Sequence, residues 1–307
     1  MAHSVTGNEL VSIAMAVYNG ERFLATQLES LLHQTWKALE IVIVDDCSTD
    51  RTVEIIRQYQ QQHPHIKLLL HETNRGVTKT FETAVMACQG ETIAMCDQDD
   101  KWHPEKISLL MNAIGKEDAI CSNSVLIDSN DQLLNRKFSD AMVMDSYYSG
   151  VPFLCSNCFP GHAMMMRTSF AKLIVPFPAH IYFDRWISFC AASRNGIQYI
   201  DQELVYYRQH EYNTVGLGKT RNRKNKPTAR QLFNLKREEL YSFREAPILD
   251  NETRVILEQM IVHFHRRWSL SRSLFFFRNM KTILQLKNKP HYRKILYCIK
   301  MFFKPNY

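Results

Sequence analysis

Asp97-Gln98-Asp99-Asp100 places three carboxylates within four residues of a 307-residue chain. Two of them could bind a hard divalent cation such as Mg2+ or Mn2+, which also accepts oxygens from a phosphate. In an extended segment Asp97 and Asp99 would point the same way and face one site. The same acids could instead form a turn capping a helix that begins near Pro104-Glu105. Asp45-Asp46 ends a β-branched run and could accept hydrogen bonds from a nucleobase or ribose. It could equally cap the following helix, a task that Ser48, Thr49 or Asp50 could also fill. Asn74-Arg75-Gly76 adds a cation on a flexible turn.

The elements around these clusters give a reason for them to meet. Val11–Val17, Ile41–Val44, Ile66–Leu70 and Thr92–Cys96 are short apolar runs that suit strands buried on both faces. Between them, helical spacing of apolar residues runs over Glu21–His33, from Val53 to Tyr59, and over Thr78–Cys88. Short strands alternating with longer helices predict βαβ units, so the fold class is α/β, a Rossmann-like layered sheet with mostly parallel strands. Such units bring the strand carboxyl ends to one edge, where ligands bind. Tyr18-Asn19, Asp45-Asp46 and Asp97 to Asp100 all fall there. Further on, the sequence predicts a strand over Ala119–Ile127, a turn at Asp128–Asp131 and an apolar run at Ala163–Met166. A helix over Phe183–Arg194 and a strand over Gln198–Tyr207 follow. Gly-x-Gly-x-x-Gly and Gly-x4-Gly-Lys-Ser/Thr are absent, which argues against a dinucleotide dehydrogenase or an ordinary NTPase.

Composition sets the wider frame. Charge is uneven: residues 219–307 carry 21 Lys and Arg against 6 Asp and Glu, leaving 17 against 25 in residues 1–218. A basic end suggests a polyanionic partner, an anionic membrane surface rather than nucleic acid. The segment from Ser269 to Tyr307 mixes Phe, Leu and Ile with Arg and Lys, as an interfacial helix does, or as a helix packed on the body with a solvated basic face does. Met1 to Leu10 lacks the apolar stretch of a signal peptide and no run suits a spanning helix, so the expected location is cytoplasmic, peripheral at most. Cys155-x-x-Cys158 with His162 could bind zinc, but no second pair follows at finger spacing, and buried thiols are the better reading.

VSIAMAVYNGERFLATQLESLLHQTWKALEIVIVDDCSTDRT, then NRG and DQDDKWHPEK, resembles the family 2 glycosyltransferases with a GT-A fold over about residues 10–215. The resemblance implies a nucleotide pocket lined by Ala16, Tyr18, Asn19, Glu21, Asp45 and Asp46, with Arg75 nearby. It implies Asp99 as metal ligand with Asp97 in support, and Asp100 and Trp102 at the sugar. HIYFDRWISFCAASRNG is similar to a block of rhamnosyltransferase-like members and makes Asp184 the catalytic base, although Phe183 stands where the family often has Glu. Tyr206-Tyr207-Arg208-Gln209-His210 extends that likeness, with Arg208 toward the diphosphate and His210 toward the metal. The Gln-x-x-Arg-Trp motif of processive synthases is not evident. The expectation is therefore an inverting transfer of a single sugar from a nucleotide-sugar, dTDP-rhamnose ahead of UDP-hexoses, to a saccharide or lipid-linked saccharide in surface polysaccharide or lipopolysaccharide synthesis. A sugar-1-phosphate nucleotidyltransferase and a non-catalytic binder with a basic tail are the alternatives. The expected organisation is a GT-A catalytic domain over 1–218 (nucleotide-sugar half 10–115, acceptor half 116–218). A basic linker over 219–229 and a helical extension over 230–307 complete it.

Overall fold

β1 (Val11–Val17) is buried along nearly its whole length because it lies in the middle of a sheet covered on both faces. It pairs in parallel with β2 (Leu39–Asp45) and β4 (Thr92–Cys96), and β3 (Ile66–Leu70) extends β2. The crossovers are α1 (Leu24–Leu32), α2 (Thr52–Gln62) and α3 (Val77–Ala87). α1 and α2 keep the predicted stripes, α1 starting later than expected, and Asp50 rather than Ser48 or Thr49 accepts from the first turn of α2, at Thr52 N (3.0 Å). The computed structural model describes residues 9–210, 228–265 and 268–303. Residues 1–8, and 219–227 of the expected linker, lie outside the described residues.

The second half completes one nine-stranded sheet in the order β3-β2-β1-β4-β8-β6-β9-β5. After β4 come β5 (Lys101–Trp102), α4 (Lys106–Ala113), β6 (Ala119–Ile127) and β7 (Leu133–Lys137), the last turning back on β6 after the predicted Asp128–Asp131 turn. β8 (Met164–Arg167) runs antiparallel to both β4 and β6. That reversal makes β6 codirectional with β4, and β9 (Ile197–Arg208) lies parallel to β6. The carboxyl ends of β1, β2, β4, β6 and β9 therefore share one edge. α5 (Thr168–Leu173) follows β8, and α6 (Phe183–Ala192) precedes β9.

The C-terminal region is helical, as expected: α7 (Ala229–Arg244), α8 (Asn251–His263), α9 (Leu270–Arg278), α10 (Met280–Ile283) and α11 (His291–Phe303). Side-chain caps start three of them, Thr228 for α7, Asp250 for α8 and Ser269 for α9. Their buried residues, among them Phe233, Phe243, Met260 and Phe276, join the same apolar core as the sheet. Among the described residues no helix is long and apolar enough to cross a membrane.

Candidate functional site

The shared edge begins where β1 ends. Tyr18 N–H donates to Gln98 Oε1 (2.8 Å) while Gln98 Nε2 donates to Tyr18 O (3.0 Å), so one side chain pins the β1 exit to the turn after β4. Gly20 makes room for it, since a Cβ there would come within 2.5 Å of Gln98 Oε1. The Tyr18 side chain stays 47% exposed at the edge, with Ala16 half-buried behind it. Asn19 Oδ1 accepts from Thr49 N (2.9 Å) and Glu21 Oε2 from Arg51 N (3.0 Å), tying the β1 exit to the loop before α2.

The two acids that end β2 divide their work. Asp45 is buried; its Oδ2 accepts from Ser48 N (2.9 Å), whereas Oδ1 finds no hydrogen-bond partner among the described residues. A buried carboxylate oxygen left in that state needs a donor from elsewhere. Asp46 differs. His71 Nδ1 (2.9 Å), Arg75 N (2.8 Å) and Gly76 N (2.8 Å) all lie on its carboxylate. Burial pushes its pKa up, but those contacts outweigh burial and hold it below the usual range. Asp46 oxygens thus anchor the 74–76 loop on the edge where Asp45 ends β2. That anchoring leaves the Arg75 side chain exposed at the edge.

The acidic segment after β4 is a turn through Gln98-Asp99, not the extended strand that would aim Asp97 and Asp99 together. The turn instead sends Asp97 and Asp100 toward His162, with ligand atoms of all three within 4.8 Å of one another. Asp100 is fully buried; Oδ1 accepts from Arg208 N (2.9 Å), and Oδ2 lacks a hydrogen-bond partner among the described residues. Burial, reinforced by the charges of Asp99 and Asp97, drives its pKa well above the carboxylate range. His162 is held by Ser124 Oγ (3.0 Å) and stacks on Tyr207 (4.3 Å), and burial lowers its pKa. Beneath it, fully buried Lys106 donates to His162 O (2.6 Å) and lies 3.3 Å from the Trp102 ring centroid. Burial brings that ammonium down to about 7.

Asp99 meets the second candidate ligand directly: His210 Nε2 lies 2.8 Å from Asp99 Oδ2. Side-chain exposure there is 17% for Asp99 and 7% for His210, against 0% for Asp100 and 3% for His162. With Asp97 at 37%, the Asp97–Asp99–His210 rim is the part a solvent-borne phosphate can reach. Arg208 is 1% exposed; it donates to Asp99 O (2.8 Å) and Asp128 O (3.1 Å) and pairs with Asp131. It clasps the 97–100 turn through Asp99 O and, by its backbone N–H, Asp100 Oδ1. Trp102, 1% exposed, is likewise floor and not wall.

Asp184 stands in the first turn of α6, where Oδ1 accepts from Arg185 N (2.6 Å). Gly161 lets that turn approach, because a Cβ there would sit 2.6 Å from Phe183 Cζ. His162 is the next residue, so one short loop touches both the acidic cluster and the Asp184 helix. Burial raises the Asp184 carboxyl to about 7; the Arg185 amide and an Asn157 hydrogen bond oppose this, and the Asp97 charge adds to it. Asp184 thus shares an electrostatic field with the metal-capable acids. Cys155 and Cys158 are buried, and His162 gathers with Asp97 and Asp100 in place of those thiols.

Gln98, Lys106, Asn157 and His162 are site residues that sequence reasoning did not single out for this place. Gln98 lay inside the acidic motif, and its amide was the available signal. His162 and Asn157 come from an irregular stretch whose spacing carries no period.

Comparison with known proteins now adds to this geometry. A family model described as glycosyl transferase family 2 matches residues 12–174, more than half of the chain. The dTDP-rhamnosyl transferase RfbG of Shigella flexneri is 30% identical over 215 residues, covering 66% of this chain and 73% of that protein. An uncharacterized glycosyltransferase of Nostoc sp. is 29% identical over 211 residues, 66% of each chain. The uncharacterized glycosyltransferase YibD of Escherichia coli is 36% identical over 108 residues, and there the match spans only 31% of the relative and 35% of this chain. Among solved structures, Staphylococcus aureus TarS 1–349 in complex with UDP-GlcNAc superposes with a TM-score of 0.60 at 18% identity, covering 95% of this chain and 80% of that one. A Pyrobaculum calidifontis mannosyltransferase in complex with GDP-Man and Mn2+ gives 0.54 at 15% identity, covering 97% and 82%. At such identities these two likenesses concern the fold.

Proposed function

The chain belongs to glycosyl transferase family 2, and on that premise we propose that it transfers one sugar, with inversion, from a nucleotide-sugar to a hydroxyl of a saccharide or lipid-linked saccharide in surface polysaccharide or lipopolysaccharide synthesis. The observation that carries this is the Asp99–His210 contact of 2.8 Å on the edge where, among the described residues, Asp45 Oδ1 and Asp100 Oδ2 lack hydrogen-bond partners. Tyr18, Asp45 and Arg75 would receive the nucleotide. Asp97, Asp99 and His210 would hold a divalent cation; the 2.8 Å between Asp99 Oδ2 and His210 Nε2 fits the roughly 3 Å edge between neighbouring ligands of an ion bonded at about 2.1 Å. Bound there, the cation supplies positive charge for the diphosphate oxygens as the leaving group departs. An imidazole among the donors leans the choice toward Mn2+ over Mg2+.

The protein's own part in transfer falls to Asp184. As the acceptor oxygen bonds to the anomeric carbon and the sugar–phosphate bond breaks, its carboxylate takes the hydroxyl proton. The name of RfbG supports dTDP-rhamnose as donor, with UDP-hexoses next. Thermal-shift screening of nucleotide-sugars with Mn2+ is the test: the matching donor should raise Tm in proportion to the logarithm of its concentration over Kd. Donor hydrolysis should vanish in Asp99→Ala. Failure of dTDP-rhamnose and of every UDP- and GDP-sugar to stabilise the protein would sink the proposal.

A cytoplasmic, peripheral location fits two exposed apolar stripes on neighbouring antiparallel helices, Leu270, Leu274 and Phe277 on α9 and Tyr292, Leu296 and Ile299 on α11. With Arg278, Arg293 and Lys300 on the same two helices, such stripes suit an anionic lipid interface.

A further inference from the structure

A cavity of about 600 Å3 opens between Met142 and Ser156 of the sheet-bearing half and the α10–α11 loop with α11. That size is ordinary for a ligand site, which runs from about 300 to 1,000 Å3. Lys287, Lys289, Arg293, Lys294 and Lys300 line it, and among the described residues no carboxylate does. Ion pairs of the adjoining helices, Arg185–Glu239, Lys236–Glu239 and Arg244–Glu258, leave all five aside. Burial, together with the charges of Arg185 and Lys289, disfavours the Lys287 ammonium. A concentration of like charge in a partly dry cleft is costly until an anion enters it.

The same cavity has an apolar wall. Leu286, Tyr297 and Leu296 contribute to it, and Leu296 continues outward into the exposed stripe of α11. The cavity adjoins the Asp184 helix: Ser156 lines it, and Phe153 O, three residues earlier, accepts from Arg185 Nε (2.8 Å). The charge of Arg185, the neighbour of Asp184, reaches Lys287.

The geometry points to a binding site for a phosphate or diphosphate carried on an apolar chain, seated so that whatever the phosphate bears extends toward Asp184. The anion site stands on the cleft itself; that its ligand is the acceptor rests on the glycosyl-transfer reading. The tight side is the cation set and the loose side the apolar wall, so chain and phosphate should both count.

The test measures binding of farnesyl diphosphate, inorganic pyrophosphate and phosphatidylglycerol vesicles to the full chain, with Mn2+-dependent donor hydrolysis as a separate readout. Farnesyl diphosphate should bind more tightly than pyrophosphate. Arg293→Ala/Lys294→Ala should weaken it roughly tenfold, as expected for loss of charge-assisted hydrogen bonds, with Tm and donor hydrolysis unchanged. Lys294→Arg should keep it. Should the double variant fold poorly, Lys289→Ala/Lys300→Ala replaces it with the same expected loss. Equal affinity for pyrophosphate would mark a free-phosphate site and overturn the proposal. So would undiminished binding in both variants, or vesicle binding without any farnesyl diphosphate binding. Absence of donor hydrolysis with farnesyl diphosphate bound would instead count against the proposed function alone.

Discussion

Asp184 ties an acid–base role to its surroundings, and the two can be separated by experiment. Raised to about 7, its carboxyl must lose a proton before it can accept one, so kcat/KM should fall about tenfold per pH unit below that value. Asp184→Asn should retain donor binding and reduce transfer by about 10^2 to 10^4-fold. The stability sign runs the other way. The folded chain holds this proton where the unfolded chain has released it, so the group costs stability as pH rises from the ordinary Asp value through about 7. The Asn variant should therefore melt no lower than wild type at pH 8, and higher if burial dominates. A flat pH–rate profile from 5 to 8, or transfer undiminished in Asp184→Asn, would remove this residue from the chemistry. Asp99→Ala should abolish Mn2+-dependent hydrolysis, whereas Asp46→Asn should act through loop order, since its carboxylate is spent on Arg75 N, Gly76 N and His71.

At the scale of elements, the Gln98 clasp makes a sharper forecast than the acids around it. Gln98→Ala removes both bonds to Tyr18, and Gly20→Ala drives a methyl against Gln98 Oε1, 2.5 Å from the ideal Cβ. Each should cost about 0.5 to 1.5 kcal/mol in a urea melt and weaken nucleotide binding, because strand exit and acidic turn then separate. Unchanged donor affinity in both variants would show the clasp irrelevant to the site. The four-strand, three-helix opening was legible because buried parallel strands demand β-branched apolar runs, and crossover helices demand 3.6-residue spacing. The direction of β8 was not, since Met164 to Met166 is apolar whichever way it runs. Nor was the pairing of Asp100 with His162, which depends on a turn at Gln98-Asp99 and a loop from far along the chain. Local pattern gave Asp99 as a candidate and the family resemblance gave His210; only parallel pairing of β9 with β6 carries Arg208 and His210 to the Asp99 turn.

For the whole molecule, the question is whether the basic helical region is an appendage or a structural half. Phe243 of α7 packs on Phe189 of α6 (centroids 4.3 Å apart), and Glu239 bridges Arg185 (3.0 Å) and Lys236 (2.8 Å). Thr253 Oγ1 accepts from Gly150 N (3.0 Å), fastening α8 to the sheet-bearing half. Removing residues 228–307 would strip partners from the helix that carries Asp184 and expose Trp186 and Phe189. Losing even three large buried side chains costs about 3 to 5 kcal/mol each, enough to exhaust the 5–15 kcal/mol that holds a typical domain folded. Residues 1–227 alone should therefore show no cooperative melt, while the full chain melts in a single calorimetric transition. Two resolved transitions, or a soluble fragment hydrolysing donor, would show the halves to be independent. Membrane contact must accordingly be probed by point changes: Leu274→Ser/Ile299→Ser should reduce flotation with phosphatidylglycerol vesicles at unchanged Tm, because both side chains are about half exposed and support no core. Equal flotation of variant and wild type would leave the stripes as ordinary surface and place the lipid contact, if any, in the basic cleft alone.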